Sequence, residues 1–173
     1  MKKKMFTLVL APAVMICLGV FATQTRAEEL KWKIISYISY YQPIPVGDEE
    51  GHILQVYERR GAVIFESGET AAILQVSTTD KTKEGQTGGG YWQITFKDGS
   101  TTWAKLQHTG SIPVGEKLQF IETKGEFTKG TGRFEGIKGS FACKGPFITP
   151  VTPDKTRGDV VLECTGTSIL PHK

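Results

Sequence analysis

An alternation of apolar and polar residues with a period of two is the feature that most constrains the fold of this chain. Successive side chains of an extended strand point to opposite faces, so the alternation predicts β-strands that are buried on one face. No segment of comparable length follows the helical period of about 3.6 residues. The predicted strands are 30–41, 52–58, 61–65, 70–79, 91–96, 101–110, 117–127, 139–145 and 159–170.

These eight or nine strands predict an all-β fold, which is either a sandwich or a barrel. Closure into a barrel removes the exposed strand edges that would otherwise pair with other chains. The barrel is therefore favoured over the sandwich, and we expect a single eight-stranded antiparallel β-barrel.

Residues 1–27 have the features of a secretory signal peptide: three lysines, an apolar run and a small residue, Ala27, at a suitable cleavage position. An uncleaved membrane anchor is the alternative, but Pro12 interrupts the apolar run, which is short for a spanning helix. We expect cleavage after Ala27, a β-barrel domain of residues 28–173, and a periplasmic or secreted location. No stable membrane insertion is expected after cleavage.

Removal of the signal peptide changes the charge of the chain. The full sequence has 21 basic and 18 acidic residues, a formal net charge of +3. Residues 1–27 contain four basic residues and no acidic one, so 17 basic and 18 acidic residues remain, a net charge of −1. Nucleic-acid binding needs a concentrated basic face, and we therefore expect no nucleic-acid partner.

Cys143 and Cys164 are the two cysteines of the predicted mature chain. An even number in an exported protein indicates a disulfide, with two buried free thiols as the alternative. Both residues lie equally far from Pro153 and Asp154, so a hairpin centred there would place them opposite each other. Two cysteines without a CxxC motif do not form a tetrahedral metal site, and no metal or cofactor is predicted.

The glycine-rich stretch "KGTGRFEGIKGSFACKG", residues 129–145, superficially resembles a nucleotide-binding loop. A dinucleotide-binding GxGxxG motif lies between a strand and a helix, whereas this spacing is one residue longer and is followed by a strand-like segment. We therefore interpret the glycines as positive-φ positions and close backbone approaches at a barrel corner. The residues given this structural role are Gly130, Gly132, Phe134, Gly136 and Gly139.

The segment "KGTGRFEGIKGSF", which follows "EKLQFIETKGEFTKG", resembles the glycine-rich segment of the allene oxide cyclase barrel-like families and of the related dirigent proteins. Residues 46–71 and 91–105 are similar to a set of uncharacterised exported bacterial proteins of this type, and the resemblance as a whole covers roughly residues 45–168. It implies an allene oxide cyclase-like, calycin-type barrel with an apolar cavity. Cyclases of this group steer a reactive substrate to one ring product, and dirigent proteins steer radical coupling. The resemblance transfers no catalytic residue to this chain.

Asp98 and Gly99 predict the register of one hairpin. A two-residue type I′ turn at Asp98-Gly99 would place Ile94 opposite Trp103 and Trp92 opposite Lys105. These side chains and Phe96 then form the heavier apolar face, which we expect inside the barrel. Lys105 would either extend to the rim or be held in a cavity by a carboxylate.

The predicted ligand-binding residues are Tyr57, Glu58, Trp92, Phe96, Trp103 and Lys105. Arg59 and Arg60 point to opposite faces of a continuing strand, so one of them could enter the cavity and bind a carboxylate or enolate. An exposed pair beside a turn at Gly61 is the favoured alternative. The three histidines are scattered and form no visible metal cluster or catalytic triad, so catalytic residues stay unknown.

Two functions stay open at this point, and so does the question of catalysis. The first is an exported barrel that binds a small apolar molecule, with cyclase or isomerase activity as an extension. The second is a non-catalytic structural or protein-interaction domain of the periplasm, including a homo-oligomer. An apolar cavity of about 300 Å³ or more favours the first function. A filled core with an exposed apolar patch favours the second.

Overall fold

The protein forms a closed eight-stranded antiparallel β-barrel. The computed structural model describes residues 27–111, 119–149 and 158–171. Each strand pairs with the next one along the chain, and the last strand pairs with the first, so the predicted fold class is confirmed. The strands are β1 Ala27–Pro45, β2 Ile53–Phe65, β3 Thr70–Lys81, β4 Gln86–Phe96, β5 Thr101–Ser111, β6 Phe120–Gly130, β7 Lys138–Pro146 and β8 Val160–Ile169, with a 3₁₀ turn at Gly132–Phe134.

The predicted signal peptide lies outside the described residues except for Ala27, where β1 begins. Within the described part of the chain, no helix is long and apolar enough to cross a membrane.

The two predicted strands 52–58 and 61–65 are one continuous strand, β2, and the expected turn at Gly61 is wrong. Gly61 instead allows β1 and β2 to approach closely. A Cβ atom at this position would lie 2.0 Å from the carbonyl oxygen of Ile35, so a side chain would force the strands apart.

The hairpin between β4 and β5 has a loop of three residues, not two. The backbone N–H of Phe96 donates to the carbonyl oxygen of Ser100 at 2.9 Å, and Gly99 adopts a φ of 82°. Asp-Gly suits this loop as well as the type I′ turn, because a three-residue hairpin also needs one left-handed residue. The Oδ1 atom of Asp98 also accepts a hydrogen bond from the backbone N–H of Ser100 at 2.9 Å.

The longer loop shifts the pairing by one residue, so that Ile94 lies opposite Thr102 and Trp92 opposite Ala104. A shift of one residue moves every side chain of a strand to the other face. The predicted interior position of Trp103 and Lys105 is therefore wrong.

A layer of aromatic side chains fills the middle of the barrel. Trp92 stacks on Phe141 with ring centroids 4.9 Å apart, and Trp32 and Phe127 contact the same ring at 5.7 and 5.4 Å. Gly125 makes room for this layer, since a Cβ atom there would lie 2.3 Å from the Phe141 ring. The aromatic layer therefore separates the barrel interior into two parts, one at each end of the barrel.

Cys143 and Cys164 form the predicted disulfide. They lie directly opposite each other in the β7–β8 register, with Cα atoms 4.0 Å apart, and both are buried. Counting outward from the predicted hairpin centre therefore placed the two residues correctly, although residues 150–157 of that connection lie outside the described chain.

The glycine-rich stretch forms the corner between β6 and β7. Gly132, Gly136 and Gly139 have positive φ angles of 59°, 79° and 133°. Gly130 has a different role, because a Cβ atom there would lie 2.0 Å from the carbonyl oxygen of Phe134. The Phe134 ring packs against the core and fixes the corner to the barrel.

Candidate functional site

Two cavities of about 280 Å³ each lie on either side of the aromatic layer. The first, which we name the corner cavity, lies beside the Gly132 corner and is lined mainly by apolar side chains, including Phe96 and Phe127. The second, at the opposite end, we name the polar cavity. Among its lining residues are Tyr57, Arg59, Gln75, His108, Thr123 and Phe147.

Two larger grooves, of about 620 and 610 Å³, run along the outer surface over β6, β7 and β8, and the first extends to β1 and β2 and the second to β5. Exposed lysines, glutamates and threonines border both grooves. The polar cavity differs from them because buried ionisable groups converge within it, and we therefore take it as the candidate site.

The alternation of β2 places Tyr57 and Arg59 inside the barrel and Glu58 outside it. On the outer surface, the Oε1 atom of Glu58 accepts hydrogen bonds from Ser39 Oγ at 2.7 Å and Arg60 Nε at 2.8 Å. Glu58 is thus part of a surface ion pair and does not face the cavity, which corrects its predicted position.

Arg59 is 6% exposed, and its side chain lies in the wall of the polar cavity. Its Nη1 donates to the carbonyl oxygen of Gly158 at 2.8 Å, and its guanidinium carbon lies 5.1 Å from the centroid of the Phe147 ring. Burial lowers the pKa of Arg59 from its ordinary value, yet an arginine stays protonated in proteins. The favoured expectation of an exposed pair is wrong for Arg59 and holds for Arg60.

His108 lies at the centre of a polar network that sequence reasoning missed. Its Nε2 atom is 3.0 Å from Tyr57 Oη and 2.9 Å from Thr79 Oγ1. Gln75 Nε2 donates to Ser77 Oγ at 2.9 Å and contacts Tyr57 Oη at 3.4 Å. The Nδ1 atom of His108 has no hydrogen-bond partner among the described residues.

Burial determines the protonation of this network. It lowers the pKa of His108 to about 4, with a further contribution from the positive charge of Arg59, so the imidazole is neutral at pH 7. Burial raises the pKa of the Tyr57 phenol, which therefore keeps its proton. The cavity thus combines a cation, a neutral proton acceptor and a proton donor.

Glycines on β4 create the space that the network occupies. Gly88 lies opposite His108, and a Cβ atom there would be 2.6 Å from His108 Nε2. A Cβ atom at Gly90 would be 2.3 Å from Ser77 Oγ. The run "GGG" before "YWQITF" was the available signal, because glycines inside a strand often mark a close approach.

The six predicted ligand-binding residues do not form one site. Tyr57 lines the polar cavity, Trp92 belongs to the aromatic layer and Phe96 lines the corner cavity. Trp103 lies on the outer face, where Lys129 Nζ is 5.4 Å from its ring centroid, and Lys105 is exposed.

His52 joins the β1–β2 loop to the end of β3 at the rim of the barrel. Its Nδ1 lies 2.6 Å from Asp48 Oδ1 and its Nε2 lies 2.8 Å from Asp80 Oδ1. These contacts, chiefly the hydrogen bond with Asp48, raise the pKa of His52, and the hydrogen bond with His52 lowers the pKa of Asp48.

We expect the stabilisation from this contact to depend on pH. Because the pKa of His52 is raised, this residue contributes stability to the folded state that is complete below the ordinary histidine pKa of 6.5. That stability is lost as the pH rises through the pKa of His52 in the folded state. Because the pKa of Asp48 is lowered, this residue contributes stability that is present above pH 3.8, the ordinary aspartate pKa. That stability is lost as the pH falls through the pKa of Asp48 in the folded state. The melting temperatures of wild type and His52→Gln should therefore differ most near pH 5–6. A difference that stays constant up to pH 9 would contradict this.

No known family profile matches the chain, and no curated protein matches it. Among solved structures, the barrel is similar to the conserved protein of unknown function RPA1785 from Rhodopseudomonas palustris. The two share 12% sequence identity over 83% of this chain and 97% of that chain, with a TM-score of 0.53. At this identity the similarity shows a shared fold alone.

A second solved structure, the pterocarpan synthase dirigent protein GePTS1, has 13% identity over 83% of this chain and 86% of that chain. Its TM-score is 0.46, which indicates nothing further about this chain. Membership of the allene oxide cyclase-like and dirigent families stays a prediction from the glycine-rich segment.

Proposed function

We propose that this protein is an exported β-barrel that binds a small molecule in the polar cavity. The observation that carries the proposal is the convergence of Arg59, Tyr57 and His108 on one cavity. Ligand sites are typically concave and mostly apolar, with a few placed polar groups and perturbed pKa values. The volume of about 280 Å³ lies just below the range of about 300–1,000 Å³ that is typical of such sites, so the cavity suits a small ligand only.

The burial of Arg59 favours a binding site over a merely structural core. A buried charge costs free energy unless it is paired, and no carboxylate lies within ion-pair distance of Arg59 in residues 27–111, 119–149 and 158–171. An apolar side chain of similar volume would fill the same space at lower cost. A ligand that pairs with the guanidinium explains why an arginine occupies this position.

Export is the second part of the proposal. It is supported by the signal-peptide features of residues 1–27 and by the disulfide between Cys143 and Cys164. Disulfides persist in oxidising compartments and are rare in the cytosol.

Cyclase or isomerase activity would need a proton donor, a proton acceptor and a group that stabilises negative charge. Tyr57, His108 and Arg59 are residues of these three types within one network. Their arrangement makes proton transfer on a bound ligand an extension of the binding function.

The outer surface favours a second candidate, a non-catalytic domain that contacts another protein or a second copy of itself. Ile35, Tyr37, Val76 and Tyr91 are between 46% and 56% exposed, and they lie on the strands β1, β3 and β4. Val76 and Tyr91 are directly opposite each other in the β3–β4 register.

Blocking the polar cavity distinguishes the ligand-binding function from the surface-interaction function. Ile121 lines the polar cavity, whereas Ile35 is exposed on the outer face of β1, so Ile121→Trp and Ile35→Trp make the same change at an inner and an outer position. We expect Ile121→Trp to weaken binding of small aromatic and aliphatic compounds, neutral and anionic, by about tenfold or more. Ile35→Trp should leave that binding unchanged. Ligand-observed NMR on the purified protein measures both.

Absence of binding to wild type, or equal binding by both variants, would contradict a ligand site in the polar cavity. If the wild type then also sedimented as an oligomer that Ile35→Trp disrupts, the surface function would replace the proposed one.

A further inference from the structure

We infer that the ligand of the polar cavity carries a carboxylate group, which Arg59 binds, on a small apolar body. The inference rests on the proposed function and specifies the class of molecule that the cavity accepts. It follows from the charge of the cavity, from the hydrogen-bonding capacity of Arg59, and from the size and composition of the walls.

The described lining of the polar cavity carries a net positive charge. It contains two basic residues, the buried Arg59 and the exposed Lys81, and no acidic residue. Asp159, which is not part of this lining, interacts electrostatically with Arg59 from beyond ion-pair distance, and its Oδ2 atom accepts a hydrogen bond from Thr149 Oγ1 at 2.9 Å. A ligand that brings a negative charge would therefore compensate the cavity, whereas a cation would be repelled.

The guanidinium group of Arg59 has more donors than the described chain satisfies. An arginine side chain carries five N–H donors, and the described residues offer it one hydrogen-bond acceptor, the carbonyl oxygen of Gly158. The N–H groups that make no hydrogen bond to the described chain are available to an acceptor on the ligand. A carboxylate accepts two parallel N–H bonds from a guanidinium and matches this requirement.

The orientation of the guanidinium is already fixed. Its carbon lies 5.1 Å from the centroid of the Phe147 ring and 5.9 Å from that of the Tyr57 ring, and the bond to Gly158 anchors Nη1. Because these contacts restrict the side chain before a ligand arrives, little conformational entropy is lost on binding.

The rest of the cavity suits a small apolar body. Ile38, Ile121, Val160 and Leu162 contribute apolar side chains to the wall. A volume of about 280 Å³ corresponds to the liquid volume of about nine water molecules at about 30 Å³ each. The cavity therefore accommodates a single aromatic ring or a short acyl chain with its carboxylate.

Benzoate and benzamide test the inference, because they have the same shape and number of non-hydrogen atoms and differ in charge. We expect calorimetric titration of the purified protein to show benzoate binding about 10- to 100-fold more tightly than benzamide, as hydrogen bonds to charged groups imply. Arg59→Gln should remove this preference by weakening benzoate binding. Arg60→Gln, a neighbouring change on the outer face, should leave both affinities unchanged.

Other results of these titrations would contradict either the carboxylate inference alone or the proposed binding function as well. Equal binding of benzoate and benzamide to wild type would overturn the carboxylate inference and leave the binding function intact. Tighter binding of phenyl phosphate than of benzoate would show that the carboxylate is the wrong anion. If neither benzoate nor benzamide binds, the carboxylate inference is wrong. If none of the neutral and anionic compounds tested for the proposed function binds either, the proposed function is wrong as well. If Arg59→Gln does not fold, Arg59→Lys keeps the charge without the forked geometry, and it should reduce the preference.

Discussion

Replacing Cys143 and Cys164 together by alanine is expected to lower the free energy of unfolding by about 3 kcal/mol. The disulfide joins residues separated by 21 positions, and loop-closure entropy in the unfolded chain predicts a stabilisation of this size. For a domain of this length the melting temperature should fall by roughly 6–12 °C. Urea and thermal unfolding followed by circular dichroism measure both quantities, and alanine avoids placing an unpaired hydroxyl in the core.

The wild-type protein under reducing conditions is the matched control, because it loses the same bond without a change of sequence. Its unfolding midpoint should lie close to that of the double variant. Two reactive thiols in the denatured, unreduced protein, or an unchanged midpoint in the double variant, would show that the bond does not form or does not stabilise the barrel.

Replacing Gly132 by valine is expected to cost about 3–5 kcal/mol, the sum of backbone strain and overpacking. Gly132 has a φ of 59°, and a Cβ atom there would lie 2.3 Å from Ser100 Oγ. Gly99→Val is the matched control, because Gly99 also has a positive φ, of 82°, but a Cβ atom added there would meet no atom within 4 Å. The control should therefore show the backbone strain without the collision.

Adding Ser100→Gly to Gly132→Val should recover part of the loss, because it removes the side chain that the valine meets. Urea unfolding of wild type, the two single variants and the double variant gives the coupling between the two positions as a double-mutant cycle. Equal stability of Gly132→Val and Gly99→Val would show that Ser100 does not constrain the corner.

The alternation of apolar and polar residues was enough to predict the parts of the fold that depend on residues close together in sequence. Alternation in β2 correctly assigned Arg59 and Arg60 to opposite faces. It could not tell which arginine is buried, because both faces of a strand look alike until closure of the barrel makes one of them the interior. The favoured expectation that both arginines are exposed was wrong for Arg59 for this reason.

The candidate site was beyond the reach of local pattern because its residues are distant in sequence. Tyr57 and His108 are 51 positions apart, and Arg59 and Gly158 are 99 positions apart. His108 is one of the polar residues on the inner face of β5, where a histidine by itself gives no sign of its partners. The glycine run opposite it, at residues 88–90, was the one local signal of an unusually open interior.

Residue order was sufficient for the all-β class, for most of the strands and for the pairing of Cys143 with Cys164, because alternation and distance from a turn can be counted along the chain. The one-residue register of β4 and β5 and the gathering of Tyr57, Arg59 and His108 arise only in the folded barrel. The register and the position of these three residues depend on contacts between strands that are distant in sequence. Burial then changes the pKa of each group in the polar cavity, and burial exists only after the barrel has closed.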